Sequence, residues 1–241
     1  MGAERELRAG RAAGAARTSR ATARRDRRGT VEVSSLRTEA YREIKRRITT
    51  TTYRPGEILN ETLVAESLRI GRTPVHEALN RLALEGMIEV IPRKGIIVKP
   101  VTLNEMREIA QVRASNEVLC VSLAARHADN DDIRAMRAVL DAAPTAIVKR
   151  DVEAMMNLDR EFHCAISRAA RNRTLADVLL QLHERSLRFW FISLSAPRHM
   201  EQVQREHRAI FEAIRAHNPK AAARAVTAHI HAYVHNITQQ L

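Results

Sequence analysis

Over most of the chain the apolar positions recur every three or four residues, and short polar or proline-containing breaks divide them into segments. "SLRTEAYREIKRRI" places Leu36, Ala40, Tyr41, Ile44 and Ile48 on one helical face, with Ser34 or Ser35 positioned to cap its start. β-Branched residues and a Pro-Gly pair in "TTTYRPGEIL" break that helix. A short helix over about Glu61–Leu68 carries Leu63, Val64 and Leu68. The next, over about Thr73–Glu85, carries Val75, Ala78, Leu79, Leu82 and Ala83, and Gly86 stands where a helix-ending glycine is favoured. The character of the chain then changes. Two β-prone runs, Ile88–Ile91 and Ile96–Lys99, flank "PRKG" and read as a hairpin with a basic tip. From Asn104 the helical period returns. It predicts helices over about 104–128, 131–149, 151–170, 172–194, 199–217 and 219–238, separated by "HADND", "KRD", "ARNR", "SAPRH" and "HNPK".

This pattern predicts a mainly α protein with three parts. Residues 1–34 hold few large apolar side chains, cannot offset the entropy of ordering, and read as a disordered basic tail. Residues 35–102 hold three helices and a hairpin in the order of a winged helix-turn-helix. Residues 103–241 form an all-α six-helix bundle. Composition agrees: aromatics make up only 3 % of the 241 residues and there are eight glycines. No run of 18 apolar residues exists, so no membrane span is expected, and the N-terminus lacks the apolar stretch of a secretory signal. Cys120 and Cys164 make no metal-type CxxC pair and sit among apolar residues. They read as small core hydrophobes in a protein of the reducing cytoplasm.

The net charge of +12 changes the picture more. It calls for a polyanionic partner, nucleic acid first and an anionic membrane surface second, against the plain alternative of an inert basic surface. Nine arginines against four acidic residues in positions 1–33 supply part of it; the remainder lies on the folded part. "GRTPVHEALNRL", Gly71 to Leu82, shows where a nucleic acid would fit. Pro74 is tolerated in a first turn because the N–H it lacks would have no partner there. The free N–H groups of a helix start suit a phosphate, and the first turns of a recognition helix read base edges. Arg72 and Thr73 stand at that end. His76 and Asn80, four apart, share a face away from Leu79 and Leu82. Arg93 and Lys94 at the hairpin tip are placed for the minor groove or flanking phosphates.

The stretch "ETLVAESLRIGRTPVHEALNRLALEGMIEVIPRKGIIV" resembles the winged helix-turn-helix of the GntR family of bacterial transcriptional regulators. Arg72, Thr73, Pro74, Val75, Glu77, Ala78, Leu79, Arg81, Leu82, Glu85, Gly86 and Gly95 keep the family's pattern. Gly71, Arg69 and His76 depart from it, standing where serine, a turn glycine and a DNA-contacting arginine are usual. The resemblance implies binding of double-stranded operator DNA through Arg72, Thr73, Pro74, His76, Asn80, Arg81, Arg93, Lys94 and Gly95. Histidine at position 76 keeps a donor but loses the bidentate fork and permanent charge of arginine.

Three of the ten histidines fall on apolar helix faces. His163 lies four after Asp159 beside Met156 and Ile166, His207 lies among Val203, Ile210 and Ile214, and His229 lies among Val226, Tyr233 and Ile237. Singly, each reads as a satisfied core histidine. Together, three imidazoles and a carboxylate converge from three helices, and one divalent ion would satisfy all four. His183 is ambiguous, since Leu179, Leu180 and Leu187 share its side. Arg113, on the stripe of Met106, Ile109 and Cys120, wants an anion: either a carboxylate ligand or Glu117, four residues on.

"LDREFHCAI", "EHRAIFEAI" and "AVTAHI" resemble the metal-site segments of the FCD domain, the effector domain of FadR-type GntR regulators, and six helices resemble the VanR subgroup. The resemblance implies that Asp159, His163, His207 and His229 hold a divalent ion, zinc first, with nickel and manganese as alternatives. It leaves positions open for water or an effector carboxylate, and it favours the effector role for Arg113, with Asn116 and Arg188 beside it. The reading is a cytoplasmic, nucleoid-associated, homodimeric regulator, a repressor by the usual sense, controlled by a small organic acid. The alternatives are a metal-dependent hydrolase with a DNA-binding appendage and a nonspecific nucleic-acid binder.

Overall fold

The computed structural model describes residues 35–92, 95–100, 102–194 and 199–239. The predicted disordered tail over 1–34 and the wing-tip residues Arg93 and Lys94 lie outside the described residues.

Helix α1 covers residues 35–49, and its stripe of Ala40, Ile44 and Ile48 is fully buried. Helix α2 (Glu61–Leu68) starts where the Asn60 side chain accepts the backbone N–H groups of Thr62 and Leu63. It ends at Arg69, whose φ of 55° puts a bulky residue in the left-handed region. Helix α3 (Arg72–Leu84) begins after Gly71, buries Val75, Ala78, Leu79 and Leu82, and is followed by Gly86 at φ 74°. Positive φ favours glycine because no Cβ then meets the backbone, so Gly86 fits its position and Arg69 does not.

The hairpin forms from β2 (Ile88–Ile91) and β3 (Gly95–Val98), with Ile91 opposite Gly95. A further strand, β1 (Ile58–Leu59), pairs antiparallel with β3 and gives the sheet order β1-β3-β2. The sequence reading saw this segment only as a break. A two-residue strand has no period to detect, and its partners, Ile97 opposite Ile58 and Ile96 opposite Leu59, lie far along the chain. Gly95 marks the crossing. At φ 111°, a Cβ there would sit 3.2 Å from Ile58 Cγ2 and 3.3 Å from the Leu59 carbonyl.

Six helices form the second part: α4 (Leu103–His127), α5 (Asn130–Lys149), α6 (Val152–Ala169), α7 (Arg173–Leu194), α8 (His199–Arg215) and α9 (Pro219–Thr238). Their ends fall within two residues of the predicted ones. The polar breaks work as caps. Thr102, Asp129, Asp151 and Asn218 each accept a backbone N–H of the turn they precede, and Asp129 and Asp132 complete a reciprocal capping box. Pro144 sits inside α5, where it withholds the N–H that would bond the Leu140 carbonyl. The buried Gln204 of α8 donates to that carbonyl instead, at 2.7 Å. Helix α4 packs along α9, α5 on α6, α6 on α7 and α8 on α9. The winged-helix part and the bundle each have a separate apolar core. Among the described residues no helix is long and apolar enough to cross a membrane.

Relieving the left-handed strain at the end of α2 tests this local account. Arg69→Gly should raise the unfolding free energy by about 1 kcal/mol in denaturant titration, the cost of holding a non-glycine residue in that conformation. A neutral or lower value would contradict it.

Candidate metal centre and nucleic-acid interface

Asp159 and His163 lie one turn apart on α6, facing the bundle axis, where α8 presents His207 and α9 presents His229. One ligand atom from each lies within 4.8 Å of those of the other three. Asp159 Oδ1 is 3.3 Å from His207 Nε2 and 3.8 Å from His163 Nε2. Oδ1 of Asp159 and Nε2 of all three histidines are buried without a completed hydrogen bond. Phe162 stacks on His207 with ring centroids 4.6 Å apart. His229 Nδ1 pairs with Glu206 at 2.8 Å, which fixes the tautomer that leaves Nε2 free.

The protonation states suit a cation. Burial pushes His163 down to about 3 and also lowers His207, so both imidazoles are neutral near pH 7. Burial alone would raise Asp159, but the surrounding histidines hold its carboxyl well below the usual carboxylate range. An ionised carboxylate and neutral imidazoles with free Nε2 atoms are the donor set that zinc or a similar divalent ion takes. The four predicted residues thus fit the ion the sequence called for.

The predicted effector residues divide. Arg113 is buried. Its Nε bonds Glu117 at 2.7 Å and its guanidinium lies over Tyr233 at 5.2 Å, while Nη1 is buried without a hydrogen-bond partner. The Glu117 alternative therefore forms. Glu117 also reaches to 3.6 Å of His163 Nδ1, so the pair belongs to the edge of the centre. Against the pull of burial, Arg113 holds Glu117 down to about 2. Asn116 does not join them. It donates to the Val112 carbonyl of its own helix, and Val112 and Leu119 on that side are half exposed. Arg188 is buried, but it donates to the Lys99 carbonyl in the segment joining the two parts.

Arg72, Thr73, His76 and Asn80 are exposed on α3, as an interface requires, while Pro74 is buried in its first turn. His76 Nδ1 pairs with Glu61 of α2 at 3.0 Å. Arg81 turns from that face: its guanidinium lies 3.7 Å over the Tyr41 ring and pairs with Glu85.

Sequence reasoning missed the junction between the two parts. Lys45 of α1 bonds Glu184 of α7 at 2.7 Å, Glu85 at the end of α3 at 3.0 Å, and Tyr41 at 2.8 Å. Arg160 of α6 also bonds Glu184 at 2.7 Å. Helix periodicity shows only that these charges lie at the rim of apolar faces; the pairs span distant segments.

A helix-turn-helix with a basic-residue-bearing helix start, joined to a helical bundle with a metal-type donor cluster, is the architecture of a DNA-binding transcriptional regulator. Comparison with known families agrees. Residues 36–98 match the model "Bacterial regulatory proteins, gntR family", and residues 108–232 match the FCD domain. The chain belongs to the GntR family of transcriptional regulators, in the branch that carries an FCD domain. It is 29 % identical over 191 residues to the HTH-type regulator YdhC of Bacillus subtilis, covering 78 % of this chain and 85 % of that one. It is 25 % identical over 201 residues to the HTH-type transcriptional repressor RspR of Escherichia coli, covering 83 % and 88 %. The solved structure of E. coli McbR/YncC superposes with a TM-score of 0.75 at 23 % identity, covering 85 % of this chain and 98 % of that one, a likeness of fold.

Lys45 is the only cation bonded to both Glu85 and Glu184 among the described residues. Lys45→Ala should lower stability by about 1–2 kcal/mol in denaturant unfolding, because it removes the cation shared by two part-buried carboxylates and leaves Glu85 to Arg81 and Tyr41 and Glu184 to Arg160. Arg46→Ala, whose partners are more exposed, should change it by less than about 1 kcal/mol. Equal effects would refute the junction's role.

Proposed function

We propose that the chain is a homodimeric, repressor-type regulator whose grip on operator DNA is set by a small organic acid bound beside a divalent ion at Asp159, His163, His207 and His229. The observation that carries this reading is the set of four buried ligand atoms without hydrogen-bond partners, brought together from α6, α8 and α9. Buried polar atoms without partners cost free energy, and a single cation answers all four. Zinc heads the expected metals, with nickel and manganese as alternatives, and the cytoplasm, on the nucleoid, is the expected place of work. The ion, when bound, supplies a Lewis-acid position for a carboxylate.

The chain's own residues do the rest. Arg113 keeps Glu117 as its permanent partner and offers the buried Nη1 to an incoming carboxylate. A cavity of about 160 Å³ between α4, α6 and α7 has Glu117, His163 and His183 among its lining residues and gives a small ligand access to the edge of the centre. Helix α7 bonds the DNA-binding part at two places, Glu184 to Lys45 and Arg188 to the Lys99 carbonyl. A ligand with different affinity for two settings of α7 therefore shifts the end of α3, to which Lys45 is also bonded. Arg72, Thr73 and Asn80 make the DNA contacts from the exposed face of α3, each protomer of the dimer taking one half-site of a near-palindrome.

Elemental analysis of purified protein should find close to one divalent ion per chain, and His163→Ala should lose it; a metal-free stable wild type would end the metal reading. Separately, Arg72→Ala should weaken operator binding at least tenfold in a gel-shift titration, with helical content unchanged. Equal affinity would remove the start of α3 from the interface.

A further inference from the structure

His183 lies at the middle of α7, 5 % exposed, with Leu179 and Leu187 buried one turn away on either side. Neither of its ring nitrogens has a hydrogen-bond partner. A histidine ring carries at least one N–H to donate. An imidazole in a helical core with no partner for its N–H is destabilising. The group facing it is Asp159, whose Oδ2 lies 3.7 Å from His183 Nε2. The two oxygens of Asp159 face different neighbours. Oδ1 looks to His163 and His207, and Oδ2 looks to His183.

We propose that His183 is a further residue of the metal centre: its Nε2–H holds Oδ2 of Asp159 and thereby keeps Oδ1 aimed at the ion. The inference rests on the reading that the centre binds a divalent ion. Carboxylates that ligate metals through one oxygen are held by a donor on the other, and such partners tune affinity without touching the metal. The structure already shows one relation of this kind, Glu206 on His229. Among the described residues the groups paired with Asp159 are histidines, and of these His183 alone addresses Oδ2. A gap of 3.7 Å exceeds a formed hydrogen bond, and ligation that draws Asp159 and its neighbours into fixed orientations is what would close it. His183 also lines the cavity that reaches the centre, which makes it a positioning residue exposed to whatever enters there.

The test uses full-length protein loaded with cobalt(II), whose visible absorption reports the ligand geometry, together with zinc affinity from chelator competition. Three variants are compared with wild type. His183→Ala removes the donor, His183→Leu removes it while filling the space, and His183→Gln keeps an N–H donor. The expected result is one ion per chain in all four proteins. Zinc should bind about 10–100-fold more weakly in the alanine and leucine variants, with a shifted cobalt spectrum, and the glutamine variant should recover much of the loss. If His183→Ala fails to fold, the leucine variant carries the comparison, and metal-free melting curves separate a packing defect from a change in the centre. Wild-type affinity and spectrum in the leucine variant would overturn the inference while leaving the metal reading standing. Failure of wild type to take up an ion would overturn both.

Discussion

The carboxylate of Asp159 is 3 % exposed in the middle of a helical bundle, and a lone ionised group there is costly unless a cation or strong donors compensate it. The bundle arranges three helices around that requirement. Helix α6 brings Asp159 with His163 one turn on, α8 brings His207, and α9 brings His229 with Glu206 of α8 behind it. Glu117, a second buried carboxylate, is compensated differently, by the Arg113 guanidinium on its own helix at 2.7 Å. The two carboxylates therefore have distinct positions: one is neutralised by a protein cation, and the other faces neutral imidazoles with free Nε2 atoms. Only the second has the makings of a metal ligand. The same contrast explains why Arg113 is poorly described as a free anion receptor. Its charge is already balanced, and what it retains for a ligand is the hydrogen-bonding capacity of Nη1.

The second constraint is how a rigid bundle is attached to a small DNA-binding fold. Apolar packing does not do it alone, since the two hydrophobic cores are separate. The attachment is polar and local, with Lys45 held between Glu85 and Glu184, Arg160 supporting Glu184, and Arg188 bonded to the Lys99 carbonyl. Part-buried charge pairs of this kind are directional, so they specify an arrangement more than they stabilise it. Glu184 adjoins His183 in sequence, and their side chains leave α7 on different sides, one toward Lys45 and one toward Asp159. A change of angle in α7 is thus felt at both ends.

The bundle helices were legible in the sequence almost to the residue, because caps such as Asp129, Asp151 and Asn218 stand in the polar breaks and because apolar stripes on helices of 17 to 25 residues repeat several times. The four residues that come together as the candidate centre were legible for a related reason: a histidine or carboxylate on an apolar stripe stands out against its neighbours. What was not legible depended on contacts between distant segments. Strand β1 exists only because β3 runs beside it. His183 shared its side with leucines, and nothing local showed that Asp159 would face it. Asn116 was misplaced by the opposite error. Ile109, Val112, Leu119 and Leu123 make a helical stripe, but Ile109 is buried whereas Val112 and Leu119 are about half exposed, so the stripe straddles the edge of the core.

His76 shows how one departure from a family pattern can be structural as well as functional. An arginine at this exposed position would carry a long, permanently charged fork out toward the groove. The shorter histidine instead pairs with Glu61 in the first turn of α2, at 3.0 Å, and so braces the two helices of the turn against each other. The bond engages Nδ1 and leaves Nε2 as the atom available to DNA. Arg81 is likewise engaged, over Tyr41 and with Glu85, and Glu77 pairs with Arg37 of α1. On the proposed reading, the side chains of α3 left uncommitted for base edges and phosphates are Arg72, Thr73 and Asn80. Arg72 and Thr73 sit in its first turn, where the helix start reaches deepest into a major groove, and Asn80 lies about two turns further along the exposed face.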